Sequence, residues 1–182
     1  MDIRKQRLRE IVAKKSFSTG GDYTLASGQT SGFYFDMKPT VLDPNGGRLA
    51  AELILEASAT IKFGCVGGMA VGAVPLVAAV SMASADTDQP LPGFLVRKET
   101  KERGTKKQIE GNIVPGENIL IVEDVTTTGG SAMQAIDAVR RETGGDVPMV
   151  VTIVDRLQGA ETFFTKQGIQ FVALLDKDDF AA

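Results

Sequence analysis

Apolar positions along the chain keep two rhythms, and their succession predicts most of the architecture. Residues 3–15 set Leu8, Ile11 and Val12 at helical spacing among Arg, Lys and Glu, the stripe of an amphipathic opening helix. Residues 16–32 (SFSTGGDYTLASGQTSG) break that rhythm and read as a turn-rich polar stretch. Phe33-Tyr34-Phe35-Asp36-Met37 then predicts a short strand. Asp43-Pro44-Asn45 is a turn that starts a second helix, with Leu49, Leu53, Ile54 and Ala57 on its buried side.

Farther on, strands and helices alternate. A strand around Cys65-Val66 meets Gly67-Gly68, and a small-residue helix follows to about Ser84. Phe94-Leu95-Val96 predicts a strand leading into a basic segment, and Asn118 to Val122 a fully apolar strand. After a Thr/Gly turn comes a helix to about Arg141, then a strand over Met149–Val154, a helix over Ala160–Lys166 and a last strand over Phe171–Leu175. Near-continuous apolar strands alternating with helices imply an α/β fold, an open, mostly parallel sheet covered by helices on both faces. In such sheets ligands sit at the carboxyl ends of the strands. The expected organisation is one domain over residues 1–182, with residues 1–40, different in style, forming a small N-terminal hood or flap.

Composition removes whole classes of chemistry. The 182 residues include no histidine, which excludes a Ser-His-Asp triad, a Cys-His pair and a histidine-ligated metal. Cys65 is the only cysteine, so neither an intrachain disulfide nor a cysteine zinc cage is available. Phe63 to Ala85 carries no charge and is long enough to span a bilayer. It is nevertheless rich in Gly, Ala and Ser, broken by Pro75 and without a basic flank or aromatic belt, so a buried strand, a glycine turn and a buried helix are expected there. The charged N-terminus shows no secretory signal, and a cytoplasmic protein is the expectation. A net charge of -3 gives no reason to expect nucleic acid as partner. The exception is local: Arg97, Lys98, Lys101, Arg103, Lys106 and Lys107, against Glu99 and Glu102, make a cationic segment suited to a small polyanion.

The chemistry concentrates in residues 118–131 (NILIVEDVTTTGGS), where an apolar strand ends in Glu123-Asp124 and a loop of hydroxyls and glycines opens a helix. Glycines let backbone N–H groups approach a phosphate, and a helix N-terminus adds partial positive charge. The two acids would repel a phosphate. They suit ribose hydroxyls, a Mg²⁺ ion or stabilisation of developing positive charge. A plain strand-to-helix turn needs less than three threonines, two glycines and a serine. Neither Walker-type nor G-x-G-x-x-G spacing is present. Gly67-Gly68-Met69-Ala70 is either a backbone loop for pyrophosphate or a site of tight strand-to-helix packing. Arg156, after Asp155 at a strand end, pairs either with a ligand carboxylate or with a nearby acid.

This acidic Thr/Gly loop resembles the phosphoribosyltransferases. Three further segments extend the resemblance, and the first and last of them point to the orotate branch of that family: Tyr23-Thr24-Leu25-Ala26-Ser27-Gly28 with Ser31 and Phe33-Tyr34-Phe35-Asp36; Arg97-Lys98-x-x-Lys101 with Gly104-Thr105 and Ile109-Glu110-Gly111; and Val154-Asp155-Arg156. The resemblance implies a type I phosphoribosyltransferase-like sheet with a hood, and Mg²⁺-dependent transfer from phosphoribosyl pyrophosphate to orotate. It implies pyrophosphate-side binding by Arg97, Lys98, Lys101 and Arg103, with Lys101 and Arg103 stabilising the leaving group. It gives Glu123 and Asp124 the ribose hydroxyls and the developing positive charge. Val125, Thr126, Thr127, Thr128, Gly129, Gly130 and Ser131 would then surround the 5′-phosphate.

The same resemblance implies orotate binding by Thr127 and Arg156, with Tyr34 and Phe35 covering the base, although Phe33 to Phe35 equally suit a core strand. It implies Mg²⁺ held mainly by substrate rather than by a protein cage, and a homodimer in which segment 98–110 reaches the neighbouring subunit. Where the family usually has a histidine two residues after the loop lysine, this chain has Arg103, which stabilises charge but donates no proton near neutral pH. Two other readings share the motifs: transfer to a purine or another base, and a phosphoribosyl-pyrophosphate-sensing regulator without turnover.

Overall fold

The computed structural model describes residues 2–24, 30–99 and 107–180. Helix α1 (Ile3–Lys15) starts where the Asp2 carboxylate accepts the Arg4 N–H at 2.8 Å, and it buries Leu8 and Val12 as the periodicity predicts. Strands β1 (Phe17–Thr24) and β2 (Thr30–Phe35) then form a separate antiparallel pair. This corrects the expectation of turns throughout residues 16–32. Ser, Thr and Gly give β1 no apolar alternation to read. Its strand is fixed instead by packing, with the Phe17 ring centroid 4.9 Å from Phe35 and 5.3 Å from Phe180 near the chain's end.

A short helix α2 (Lys38–Val41) leads to α3 (Pro44–Ser58), whose first turn is capped by Asp43 accepting from the Asn45 and Gly46 N–H groups. The main sheet is assembled from β3 (Cys65–Met69), β4 (Gly93–Val96), β5 (Ile109–Gly111), β6 (Asn118–Thr126), β7 (Asp146–Asp155) and β8 (Gln170–Asp176), in the order β5-β4-β3-β6-β7-β8. All neighbours run parallel except the short edge strand β5, antiparallel to β4. Helix α4 (Val74–Ser84) follows β3, α5 (Gly130–Thr143) follows β6, α6 (Ala160–Lys166) follows β7, and a 3-10 turn (Lys177–Phe180) follows β8.

Strand alternation divides the core into two layers. Leu120, Val122, Met149, Val151 and Ile153 face one layer with α1, α3 and α4, while Ile119, Ile121, Val147 and Val150 face the other with α5 and α6. From β3 the chain builds outward to β4 and β5; from β6 it builds the other way, to β7 and β8. The β3/β6 boundary is therefore the switch point of the sheet, the place where open α/β sheets take their ligands. Residues 63–85 divide into β3, a turn and α4, and no helix among the described residues is long and apolar enough to cross a membrane.

Gly67 and Gly68 belong to β3 itself rather than to a loop after it. A Cβ on Gly67 would fall 2.2 Å from the Phe94 ring, and one on Gly68 2.5 Å from both the Val122 carbonyl oxygen and the Ala73 Cβ. Tight packing is what these two glycines provide.

Candidate active site

Strand β6 runs past the predicted Val122 to Thr126, so Glu123 and Asp124 are strand residues pointing to opposite faces. Glu123 is buried, and the Thr126 hydroxyl donates to its Oε2 at 2.6 Å. Burial lifts its pKa to about 7; the Thr126 hydrogen bond opposes the lift, and the Asp124 charge adds to it. Asp124 is half-buried, with its Oδ1 accepting the Val125 N–H at 2.9 Å. Burial raises its pKa too, while Lys38 lowers it.

The turn after β3 approaches this pair. A Cβ on Gly72 would lie 3.0 Å from both Asp124 carboxylate oxygens, which measures how closely the two elements approach. Thr127 and Thr128 lead to Gly129, whose φ of +87° turns the chain into α5. A Cβ there would also meet the Phe164 ring at 2.8 Å. Helix α5 has no side-chain cap, and Gly130 and Ser131 in its first turn are exposed, whereas the Ala132 N–H is spent on the Glu123 carboxylate.

Arg156 follows β7 in the next parallel strand, tied to the loop by its N–H donating to the Thr126 carbonyl at 2.9 Å. It is only 3% exposed. Its guanidinium lies 4.5 Å over the Phe33 ring, and its Nη2 donates to Ser31 Oγ at 2.9 Å. Burial acts against its charge, with the nearby Tyr34 favouring it. Among the described residues Arg156 has no carboxylate partner, and its Nε–H is buried without an acceptor. The adjacent Asp155 instead accepts the Leu157 N–H at 2.9 Å, so no ion pair consumes the arginine. A buried guanidinium with an unspent donor can pair with an anion.

The hood completes the surroundings unevenly. Tyr34 is 39% exposed and stacks on Tyr23, with ring centroids 5.7 Å apart. Phe35 corrects the expectation that both residues cover the base: alternation along β2 turns it into the core, 5% exposed, against Phe17 and Phe180. Phe33, two residues earlier and partly buried, is the ring that meets Arg156. Lys38 bonds Asp36 at 2.5 Å and is felt by Asp124, a neighbour that a lone lysine after Met37 gave no pattern to find.

Arg97 and Lys98 leave the end of β4 exposed to solvent. Arg97 pairs with Glu110 of β5 at 3.1 Å. Lys101 and Arg103 lie outside the described residues, as do Leu25 to Gly28 of the first motif. Among the described residues no three His, Cys, Asp or Glu side chains group as a metal cage.

No family model matches the chain. A curated relative, the orotate phosphoribosyltransferase of Bradyrhizobium diazoefficiens, is 46% identical over 180 residues, spanning 97% of this chain and 95% of that protein. The crystal structure of Mycobacterium tuberculosis orotate phosphoribosyltransferase in complex with Fe(III) dicitrate matches with a TM-score of 0.84 at 34% identity, covering 98% of this chain and 99% of that one. The same enzyme in complex with 5-phospho-alpha-D-ribosyl 1-diphosphate matches with a TM-score of 0.79 at 32% identity, covering 97% and 98%.

Proposed function

The chain belongs to the orotate phosphoribosyltransferase family, and from that membership and its site we infer that it transfers the phosphoribosyl group of phosphoribosyl pyrophosphate to orotate, giving orotidine 5′-phosphate and pyrophosphate in pyrimidine nucleotide synthesis. The observation that carries the base assignment is Arg156, a buried guanidinium with an unspent N–H beside the acidic Thr/Gly loop. Orotate has a carboxylate to offer it; adenine, hypoxanthine and uracil have none.

In the reaction the bond from ribose C1 to the pyrophosphate oxygen breaks with its electron pair, and a ring nitrogen of orotate, shedding its proton, bonds to C1. The transition state has oxocarbenium character, so no side-chain nucleophile is needed, and positioning and electrostatics carry the catalysis. Glu123 and Asp124 accept the ribose hydroxyls and face the developing positive charge. Val125 to Ser131, with the exposed start of α5, hold the 5′-phosphate. Thr127 and Arg156 hold orotate, and the exposed ring of Tyr34 borders the base; Phe35 supports that edge from the core. Arg97 and Lys98 bind on the pyrophosphate side, and Lys101 and Arg103 neutralise the departing pyrophosphate.

Mg²⁺ fits the donor set, since it commonly uses one or two carboxylates and takes its remaining oxygens from substrate phosphates and water. Asp124 is the carboxylate that would share such an ion, which would supply charge neutralisation to the pyrophosphate.

A homodimer accords with α4, which carries no charged side chain and leaves Met82 exposed, with Val71 exposed in the turn before it. A second copy covers that face, with segment 98–110 acting across the interface. Of residues 1–40, the β1/β2 pair serves as a hood within one domain while α1 packs into the core, and the protein works in the cytoplasm.

Orotate consumption followed by ultraviolet absorbance, with phosphoribosyl pyrophosphate and Mg²⁺, tests the reading against adenine, hypoxanthine and uracil. Consumption of orotate alone is expected. Silence with every base despite phosphoribosyl-pyrophosphate binding would point to a sensor instead.

A further inference from the structure

Gln108 lies at the returning stem of the basic segment, and every polar group it has is engaged. Its backbone carbonyl accepts the Arg97 N–H at 2.9 Å, extending the β4/β5 ladder by one step beyond the Val96–Ile109 pair. Its side-chain Nε2 donates to the Arg97 and Lys98 carbonyls at 3.2 and 3.4 Å. Its Oε1 accepts from Arg141 Nη2, and its own N–H donates to Glu142 Oε1 at 3.1 Å. The amide has one orientation that satisfies this set, because carbonyls need its NH₂ and the guanidinium needs its oxygen.

These partners belong to two places in the fold. Arg97 and Lys98 are where the chain leaves β4 for the basic segment. Arg141 and Glu142 are in the last turn of α5, whose first turn is the phosphate loop at Gly129 to Ser131. A 14-residue helix is a rod of roughly 20 Å, so what is fastened to its end is held in register with its beginning. Surface side chains seldom engage every donor and acceptor they have; one that does fixes a geometry.

We propose that Gln108 is a positioning residue of the phosphoribosyl-pyrophosphate site, tying the carbonyls of Arg97 and Lys98 to the far end of the helix that opens on the phosphate loop. The role rests on the functional reading above, because Arg97 and Lys98 matter only if they meet the pyrophosphate. Gln108 touches no substrate. It sets where Arg97 and Lys98 leave β4 relative to the helix that opens on the 5′-phosphate site.

Two variants separate its two halves. Gln108→Leu removes both the donors to the carbonyls and the acceptor for Arg141. Gln108→Glu keeps an acceptor for Arg141 and removes the donors. Both are expected to raise KM for phosphoribosyl pyrophosphate about five- to tenfold, the scale of one or two net hydrogen bonds. KM for orotate and the thermal midpoint should stay near those of the unaltered protein. Equal rises in both KM values, or an unchanged KM for phosphoribosyl pyrophosphate, would overturn the role. Full recovery in Gln108→Glu would also overturn it, since the Arg141 contact alone would then suffice. Calorimetric binding of phosphoribosyl pyrophosphate without a base reads the same weakening. If the unaltered protein binds that ligand yet consumes no orotate, the orotate reading fails while this comparison still decides Gln108. If it binds no phosphoribosyl pyrophosphate, both fall.

Discussion

Glu123 is a carboxyl whose surroundings oppose its charge, and the proposed role at the ribose hydroxyls needs that charge. Burial lifts its pKa from the ordinary 4.5 to about 7. Because the folded value lies above the unfolded one, folding favours the protonated form, and that contribution to stability is lost as pH rises from about 4.5 through about 7. Ribose hydroxyls donate best to the ionised form, so binding and folding pull the proton in opposite directions. Glu123→Gln should therefore raise the thermal midpoint at pH 8 more than at pH 5 while cutting turnover, and it should flatten the rise of kcat/KM for phosphoribosyl pyrophosphate between pH 6 and pH 8. Paired melts and pH–rate profiles check this; equal shifts in midpoint at both pH values would count against the buried charge. Arg156 presents the complementary case, a buried cation awaiting an anion. Arg156→Ala should raise KM for orotate by about 10- to 100-fold, the range of a charge-assisted bidentate pair, with KM for phosphoribosyl pyrophosphate nearly unchanged. Steady-state kinetics with each substrate varied in turn will tell, and equal losses for both would place Arg156 elsewhere.

Among the elements, β3 shows how closely the strands and the turn beside Asp124 are packed. Gly68 lets β3 lie against the Val122 carbonyl and the first turn of α4, and a methyl there has no flexible side chain to displace. Gly68→Ala should destabilise the fold by about 1–3 kcal/mol, measured by urea unfolding, and should impair activity by moving the turn that faces Asp124. A stability within error of the unaltered protein would mean that β3 has room to shift. The sequence pattern carried the long elements well: α1 and α6 match their predicted spans, and the parallel strands declared themselves as unbroken apolar runs. β1 was not legible, because Ser18, Thr19, Gly20 and Gly21 hold no pattern of their own and depend on Phe17 meeting Phe35 and Phe180 from distant parts of the chain. β5, at three residues, is too short to have a period. Glu123, Asp124 and Arg156 stood out in the sequence as candidate site residues, and the fold brings the ends of β6 and β7 that carry them side by side. That Phe35 turns inward while Phe33 meets Arg156 depends on which face of β2 lies against the body, which composition does not record.

At the scale of the whole molecule, the proposed dimer makes a specific claim about which subunit's site the basic segment serves. The segment leaves from Arg97 and returns at Lys107 on the edge of the sheet beside β5, whereas the phosphate loop opens at the sheet's centre after β6. The uncharged outer side of α4, next to that centre, is the face a second copy covers in the proposed dimer. If the segment acts across the interface, Lys101 of one chain completes the site that holds Asp124 of the other. Lys101→Ala and Asp124→Asn chains, each nearly inactive alone, should then recover activity when unfolded together and refolded as a mixture. In a mixed dimer one site carries both defects and the other carries neither, so random pairing of equal amounts should restore roughly a quarter of the unaltered activity. A segment that serves its own subunit leaves every site with one defect, and the mixture stays inactive. Sedimentation of the same mixture distinguishes that outcome from a failure to pair, because inactive dimers place the segment in its own subunit while inactive monomers remove the interface itself.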